Sequence, residues 1–271
     1  VELEIYQVDA FTTTAFKGNP AAVCITEKGL DEHLMLQIAD EMAVSETAFL
    51  SLDDWRLRWF TPNVEVALCG HGTLAVAHVL AKKGIAKVGD VLAFNTLSGT
   101  LNASIEEQHI ALNFPAAHLN QTACPAGEWL ELFGLKQADV VGCYEFDTKQ
   151  LLVIKDSAKI EDLAPQFEGL KALTGRGVVV TAESQSQDYD FVSRYFAPWV
   201  GVNEDPVTGS AHCALAEYWG PKLNKMVMNA YQASPRGGEI SVERLPNQRV
   251  KLLGSAVTML HGKMTLLPSN D

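Results

Sequence analysis

Glu46, His71, Asp205 and Cys69 are the residues of this chain whose types and settings suit proton transfer. Glu46 lies in Ala43-Val44-Ser45-Glu46-Thr47-Ala48-Phe49, where a helical pattern hands over to a strand among small and apolar residues. Burial there is expected to raise its pKa toward neutrality, as a general acid/base requires. The alternative is an exposed strand glutamate. His71 sits in Cys69-Gly70-His71-Gly72-Thr73, a glycine-rich loop that opens a helix. The positive end of the helix dipole is expected to lower its pKa and leave a neutral imidazole, unless the residue is merely structural. Asp205 precedes a second such junction, Thr208-Gly209-Ser210-Ala211, and could instead form an Asx turn into Pro206. His71 and His78 could share a helix face, but no carboxylate or cysteine completes a metal set at convincing spacing, so no metal is expected.

The two junctions add a second kind of chemistry. Glycine before a helix lets backbone N–H groups approach a ligand, and the helix terminus adds partial positive charge. Gly70 and Gly72 in one copy, and Gly209 and Ser210 in the other, are therefore candidate donors to a substrate anion. The bland alternative is a tight turn capped by Thr208 or Ser210.

The junctions belong to a longer repeat. Arg58-Trp59-Phe60-Thr61-Pro62-Asn63-Val64 aligns with Arg194-Tyr195-Phe196-Ala197-Pro198-Trp199-Val200, about half a chain length away. Each copy runs into an Ala-rich helical segment, and Asp205 falls in an insertion of the second copy. Two copies imply two similar domains with a small-molecule site in the cleft they share.

The elements that must hold these residues read as interleaved strands and one long helix per half. Strands are expected from Leu3, over residues 21–25, 46–50 and 56–60, and in a meander at 91–94, 100–105 and 109–114. Helices are expected over 31–42, capped by Asp31, and from Thr73 to the Lys82-Lys83-Gly84 stop signal. Residues 115–125 lack periodicity and are the expected linker. Strands follow near Tyr144, at 151–154 and 178–181, with a helix near 165–173 between the last two. A helix from Ala211 should stop at Gly220-Pro221, and strands near 227–232, 240–242, 250–253 and 259–267 complete the chain. The fold class is α+β, each domain a curved sheet wrapped on its helix: residues 1–115, completed by strands within 250–271, and residues 116–250.

Composition narrows the partners. A net charge of −12 and a pI near 5.0 argue against nucleic acid or an anionic membrane. Five cysteines without a CxxC pair are expected to be reduced thiols of a cytoplasmic protein. No apolar run reaches the roughly 18–20 residues a membrane span needs, and the strand-like opening shows no leader. No P-loop, Gly-x-Gly-x-x-Gly or Gly-x-Ser-x-Gly motif is present, which disfavours a nucleotide enzyme or a hydrolase.

The chain resembles the phenazine-biosynthesis PhzF-like family, related in fold to diaminopimelate epimerase. The matches are Val8-Asp9-Ala10-Phe11 with Gly18-Asn19-Pro20-Ala21, residues 41–49, Arg58 to Pro62, Cys69 to Thr73, and Glu204 to His212. The resemblance implies two pseudo-symmetric domains, each a barrel-like sheet around a central helix, and commonly a homodimer. It gives Glu46 the role of proton shuttle, His71 and Asp205 those of its partners, and Gly70 and Ser210 those of donors to a substrate carboxylate. The epimerase relatives use a cysteine from each half. Here Cys69 occupies the first position but Thr208 the second, which favours one-carboxylate isomerisation. The expected function is a cofactor-independent isomerase of a small carboxylated metabolite. A racemase using Cys69, or a metabolite-binding protein of the same fold, is the alternative.

Overall fold

The computed structural model of the protein describes residues 2–266. The chain divides into two compact units: residues up to 113 with those from 253 onward, and residues 114–252.

In the first unit, β1 (Glu2–Ala10) pairs antiparallel with β2 (Asn19–Thr26). The run Ala21-Ala22-Val23-Cys24 is buried throughout, as expected of a strand with a parallel neighbour and both faces covered. That neighbour is β3 (Glu46–Ser51), reached through helix α1 (Glu32–Met42), and Ala21 lies opposite Glu46 in the ladder. The Asp31 carboxylate caps α1 by accepting from the His33 and Leu34 amides at 3.0 and 3.4 Å. The helix ends at Ala43, whose φ of 52° is left-handed, and the chain turns directly into Ser45 and Glu46. Strands β4 (Arg56–Phe60) and β5 (Glu65–Val66) follow, each antiparallel to its predecessor.

Helix α2 (Gly70–Lys82) is the centre of this unit. Residues 71–77, Val79 and Leu80 are buried, so the helix has no solvent face before Lys82. A helix apolar on every side is stable only when surrounded, and α2 contacts β1, β2, β3 and β7. Beyond it β6 (Val91–Thr96), β7 (Gly99–Ile105) and β8 (Ile110–Pro115) form the meander, with β6 also parallel to β4.

The second unit opens with β9 (Asn120–Thr122) and α3 (Gly127–Glu131). It continues through β10 (Val140–Phe146), β11 (Lys149–Ile154), α4 (Ala158–Glu161), α5 (Phe167–Lys171), β12 (Val178–Glu183), β13 (Phe191–Ala197) and β14 (Val202–Asp205). Helix α6 (Gly209–Leu223) leads to β15 (Val227–Gln232), β16 (Gly238–Leu245) and β17 (Arg249–Gly254). From β10 to β16 the pairings run antiparallel, parallel, antiparallel, antiparallel, then parallel β13 to β15 and antiparallel again. That is the order found from β1 to β7. The last described strand, β18 (Ala256–Thr265), pairs with β1 along its length. Its expected end at Leu267 lies outside the described residues.

One side-chain device occurs in both units. Arg58 holds Glu65 through Nε and Nη2 at 2.7 and 2.6 Å and lies 4.9 Å from the Phe60 ring centre. Arg194 holds Glu204 through the same two nitrogens at 2.7 Å each and lies 5.0 Å from the Phe196 ring. Planar forks of this kind fix one strand against the next.

Several expectations change. The expected linker contains β9, whose short polar text pairs with β10 and so carries no apolar periodicity of its own. Both long helices begin earlier than expected, at Gly70 and Gly209, so the glycines form the first turns and do not precede them. Helix α6 runs through Pro221 to Leu223, because a proline this close to the end forfeits only one backbone bond. The cysteines are not all thiols. Cys124 and Cys143 form a disulfide with Cα atoms 5.2 Å apart, leaving Cys24, Cys69 and Cys213 free. Thr122 opposite Cys143 in the β9–β10 ladder returns the chain to that point, a proximity the cysteine spacing did not reveal. No described helix is long and apolar enough to cross a membrane.

Candidate active site

In the first unit, the start of β3 and the first turn of α2 bring Glu46, Cys69 and His71 together, with donor atoms all within 4.8 Å of one another. His71 Nε2 lies 3.2 Å from Glu46 Oε2 and 3.2 Å from Ser45 Oγ. The Asn19 amide lies 3.3 Å from Nδ1, and Cys69 Sγ 3.6 Å from the same nitrogen. The imidazole is thus held at both nitrogens by groups from β2, β3 and α2. Glu46 Oε2 is buried and accepts no aligned hydrogen bond, although it stands at ion-pair distance from His71. The side chains of His71 and Glu46 are 7% and 21% exposed.

These contacts reverse two electrostatic expectations. Burial opposes the Glu46 charge, yet its contacts with His71 and Ser45 outweigh burial and hold its pKa below the ordinary glutamate value. Burial also disfavours the His71 imidazolium, but Cys69 and Glu46 raise its pKa well above the ordinary value of 6.5. Side chains at contact distance override the helix dipole, whose partial charge is smaller. The cluster is therefore a carboxylate beside an imidazolium. Burial pushes the Cys69 thiol up, with His71 pulling the other way.

The same three residues are also the only group of potential metal donors among the described residues, a set not legible from spacing because β3 supplies one member and α2 the other two. Thiol, imidazole and carboxylate suit zinc in kind. His78 is not part of it, since its Nε2 bonds the Thr258 hydroxyl at 2.9 Å.

Cys69 is the N-cap of α2, and its Sγ accepts the Gly72 amide at 3.3 Å. The Gly72 N–H is therefore committed within the protein. The glycine is needed for packing: a Cβ there would come 2.8 Å from Trp59 Cδ1 and 2.9 Å from Cys69 Sγ. Sequence reading missed Asn19 and Ser45 as site residues. The signal available was a lone Asn opening an apolar strand and a Ser adjoining the glutamate.

In the second unit, Thr208 takes the N-cap position of α6 without a side-chain cap bond. Its hydroxyl instead donates to Asp205 Oδ2 at 2.5 Å. Gln232, fully buried on β15, clamps this loop: its Oε1 accepts the Thr208 N–H at 2.9 Å and its Nε2 donates to the Asp205 carbonyl at 2.7 Å. Gln232 was not foreseen, because nothing in the text of β15 connects it to the loop. His212 Nδ1 lies 2.9 Å from the Thr208 carbonyl, and burial lowers its pKa to about 4. Ser210 Oγ accepts from Lys149 Nζ at 3.4 Å.

The profile of the phenazine biosynthesis-like proteins matches residues 8–262. The chain belongs to that family. An uncharacterized isomerase of Halalkalibacterium halodurans is 48% identical over 264 residues, covering 97% of this chain and 98% of that one. The crystal structure of a PhzF-family phenazine biosynthesis protein from Enterococcus faecalis superposes with a TM-score of 0.91 at 40% identity, covering 98% of this chain and 100% of that one. A hydroxyproline epimerase from Agrobacterium vitis matches with a TM-score of 0.61 at 11% identity, over 98% and 93% of the two chains, a likeness of fold alone. The α+β fold is thus of the diaminopimelate epimerase-like, PhzF-family kind, and similarity to named isomerases supports an isomerase-type function for this family member.

Proposed function

We propose that the protein is an isomerase that moves a proton between carbons of a small carboxylated metabolite, with Glu46 as the general acid/base and no cofactor. The observation that carries this is the buried Glu46 oxygen, kept ionised 3.2 Å from His71 Nε2 yet free of aligned hydrogen bonds. A carboxylate in that condition has a lone pair available for a substrate C–H. His71 beside it stabilises the negative charge that develops on the substrate. A substrate anion drawn to the imidazolium weakens the ion pair and raises the basicity of Glu46 as the reaction begins.

Cys69 suits the role of base less well, because burial favours its neutral thiol and its sulfur is engaged as a helix cap. The Gly70 amide remains the candidate donor to the substrate in the first unit. Asp205, Gly209 and Ser210 keep the substrate-orienting roles that family membership suggests, and the recurrence of one pairing order points to an internal duplication. Homodimeric assembly belongs to the same proposal.

The test is deuterium uptake from D2O by a panel of small amino and hydroxy carboxylic acids, followed by mass spectrometry with wild type and Glu46→Gln. Uptake with wild type that disappears in the variant is expected. Uptake undiminished in Glu46→Gln sinks the assignment of the base, and a compound that binds tightly without exchange points to a binding protein.

A further inference from the structure

A pocket of about 190 Å³ lies wholly within residues 114–252, at the start of β11 and β12. Strand register relates it to the Glu46 site. In the first unit Thr47 lies opposite Phe60 on one side and Ala22 on the other. In the second, Val178 lies opposite Phe196 and Gln150. Phe60 and Phe196 each carry the arginine described above, so Gly177 holds the position that Glu46 holds in the first unit. A Cβ at Gly177 would fall 2.2 Å from the Tyr195 hydroxyl, which leaves no room for an acidic side chain.

Cations stand there instead. The partly buried Lys149 places Nζ 3.4 Å from Ser210 Oγ and 5.4 Å from the Phe146 ring centre. Arg176 precedes Gly177 and lines the same pocket. Neither forms an ion pair with any described carboxylate, although the chain carries a net charge of −12 and the buried or half-buried Arg58, Lys159, Arg194 and Arg244 are each paired. Glu145 is the one acid on the pocket wall. Trp129 and Trp199 also line it, and the Trp199 N–H is spent on the Leu170 and Leu173 carbonyls. Gln150 adds a buried Oε1 with no protein donor.

We propose that this pocket binds a small organic carboxylate, its oxygens taken by Lys149 and Arg176 and its flat apolar body set beside the two indoles. Two cations without an ion-pair partner on one pocket wall outnumber its one acid, Glu145, and a guanidinium with an ammonium supplies a fork and a point charge for an anion. Burial lowers the Lys149 pKa, opposed by Asp147 and reinforced by Arg176, so a bound anion relieves an existing electrostatic cost. Glu46 is not on the pocket wall, but Lys149 contacts Ser210, to which the proposed function gives a substrate-orienting role, so the pocket adjoins that reading.

The experiment is a titration of the whole protein with sodium benzoate at constant ionic strength, observed by ligand NMR, with circular dichroism to verify folding. Lys149→Met is expected to weaken benzoate about tenfold or more, and Arg176→Gln about threefold, as loss of charge-assisted hydrogen bonds requires. Lys149→Arg should retain most of the affinity, and acetate should bind more weakly than benzoate. Glu46→Gln should stay within about twofold of wild type, so this proposal and the catalytic one fail separately. If Lys149→Met does not fold, the exposed Arg176→Gln carries the test. Absence of benzoate binding to folded wild type, an affinity indifferent to both cation variants, or an equal loss in Glu46→Gln overturns the proposal.

Discussion

Replacing Glu46 by Gln should change the protonation of His71 more than it changes the fold. The carboxylate oxygen stands 3.2 Å from His71 Nε2, and both side chains are largely buried. At an effective dielectric of about 20, opposite unit charges at that separation attract by about 5 kcal/mol, so a substantial share of the support for the imidazolium disappears with the carboxylate while that of Cys69 remains. Gln keeps the shape and leaves Ser45, Asn19 and Cys69 in place. In ¹⁵N-histidine spectra, with His71 assigned from a His71→Asn variant, the wild-type ring should remain protonated well above pH 6.5. The Glu46→Gln ring should lose its proton at markedly lower pH. Stability follows with a definite sign. A raised histidine pKa contributes fully below its unfolded value and is lost as pH rises through the folded one. A lowered glutamate pKa contributes above its unfolded value of 4.5 and is lost as pH falls. The difference in urea stability between wild type and variant should therefore be greatest between about pH 4.5 and 6.5 and shrink on either side. A His71 ring that is neutral at pH 7 in wild type, or that titrates identically in both proteins, would refute the reasoning.

Four further outcomes follow from the structure. Arg194→Met should cost about 3–5 kcal/mol, because it strands the Glu204 carboxylate and removes the donor to the Ile160, Glu161 and Leu163 carbonyls. Arg58→Met should cost less, about 1–3 kcal/mol, since its partner Glu32 is 63% exposed, and urea midpoints rank the two. Serine at both Cys124 and Cys143 should cost about 3 kcal/mol for a bridge spanning 19 residues, and added reductant should lower the wild-type melting temperature but not the variant's. Gly72→Ala should cost about 1–3 kcal/mol by driving a methyl into Trp59 and Cys69, read as a lower melting temperature with a disturbed Trp fluorescence spectrum.

Much of the scaffold was legible because its signals are local. The Asp31 cap, the apolar run after His71 and the alternation in β6 to β8 each report on their own segment. The convergence of Glu46, Cys69 and His71 depends on β2 and β3 lying parallel and α2 entering beneath them, which no window of sequence contains. For the same reason both pKa expectations went astray. Each considered burial or the helix end alone, while the deciding term was a neighbour from another element. Cys124–Cys143 and the Gln232 clamp were hidden in the same way, by pairing across strands. The repeated Arg-aromatic-Phe text was visible at once, yet its partners Glu65 and Glu204 sit at different distances along the chain and escaped the alignment.

The place of β18 has a consequence for how the protein is made. The unit that carries Glu46 is discontinuous, its strand β1 flanked on one side by β2 and on the other by β18. During synthesis the uninterrupted residues 114–252 can fold as soon as they leave the ribosome. Residues before 114 must wait, with one edge of β1 open to pairing by any other chain, until β18 has been made. A chain that terminates before β18 would therefore present the open edge of β1 within the unit that carries Glu46, making aggregation its expected fate.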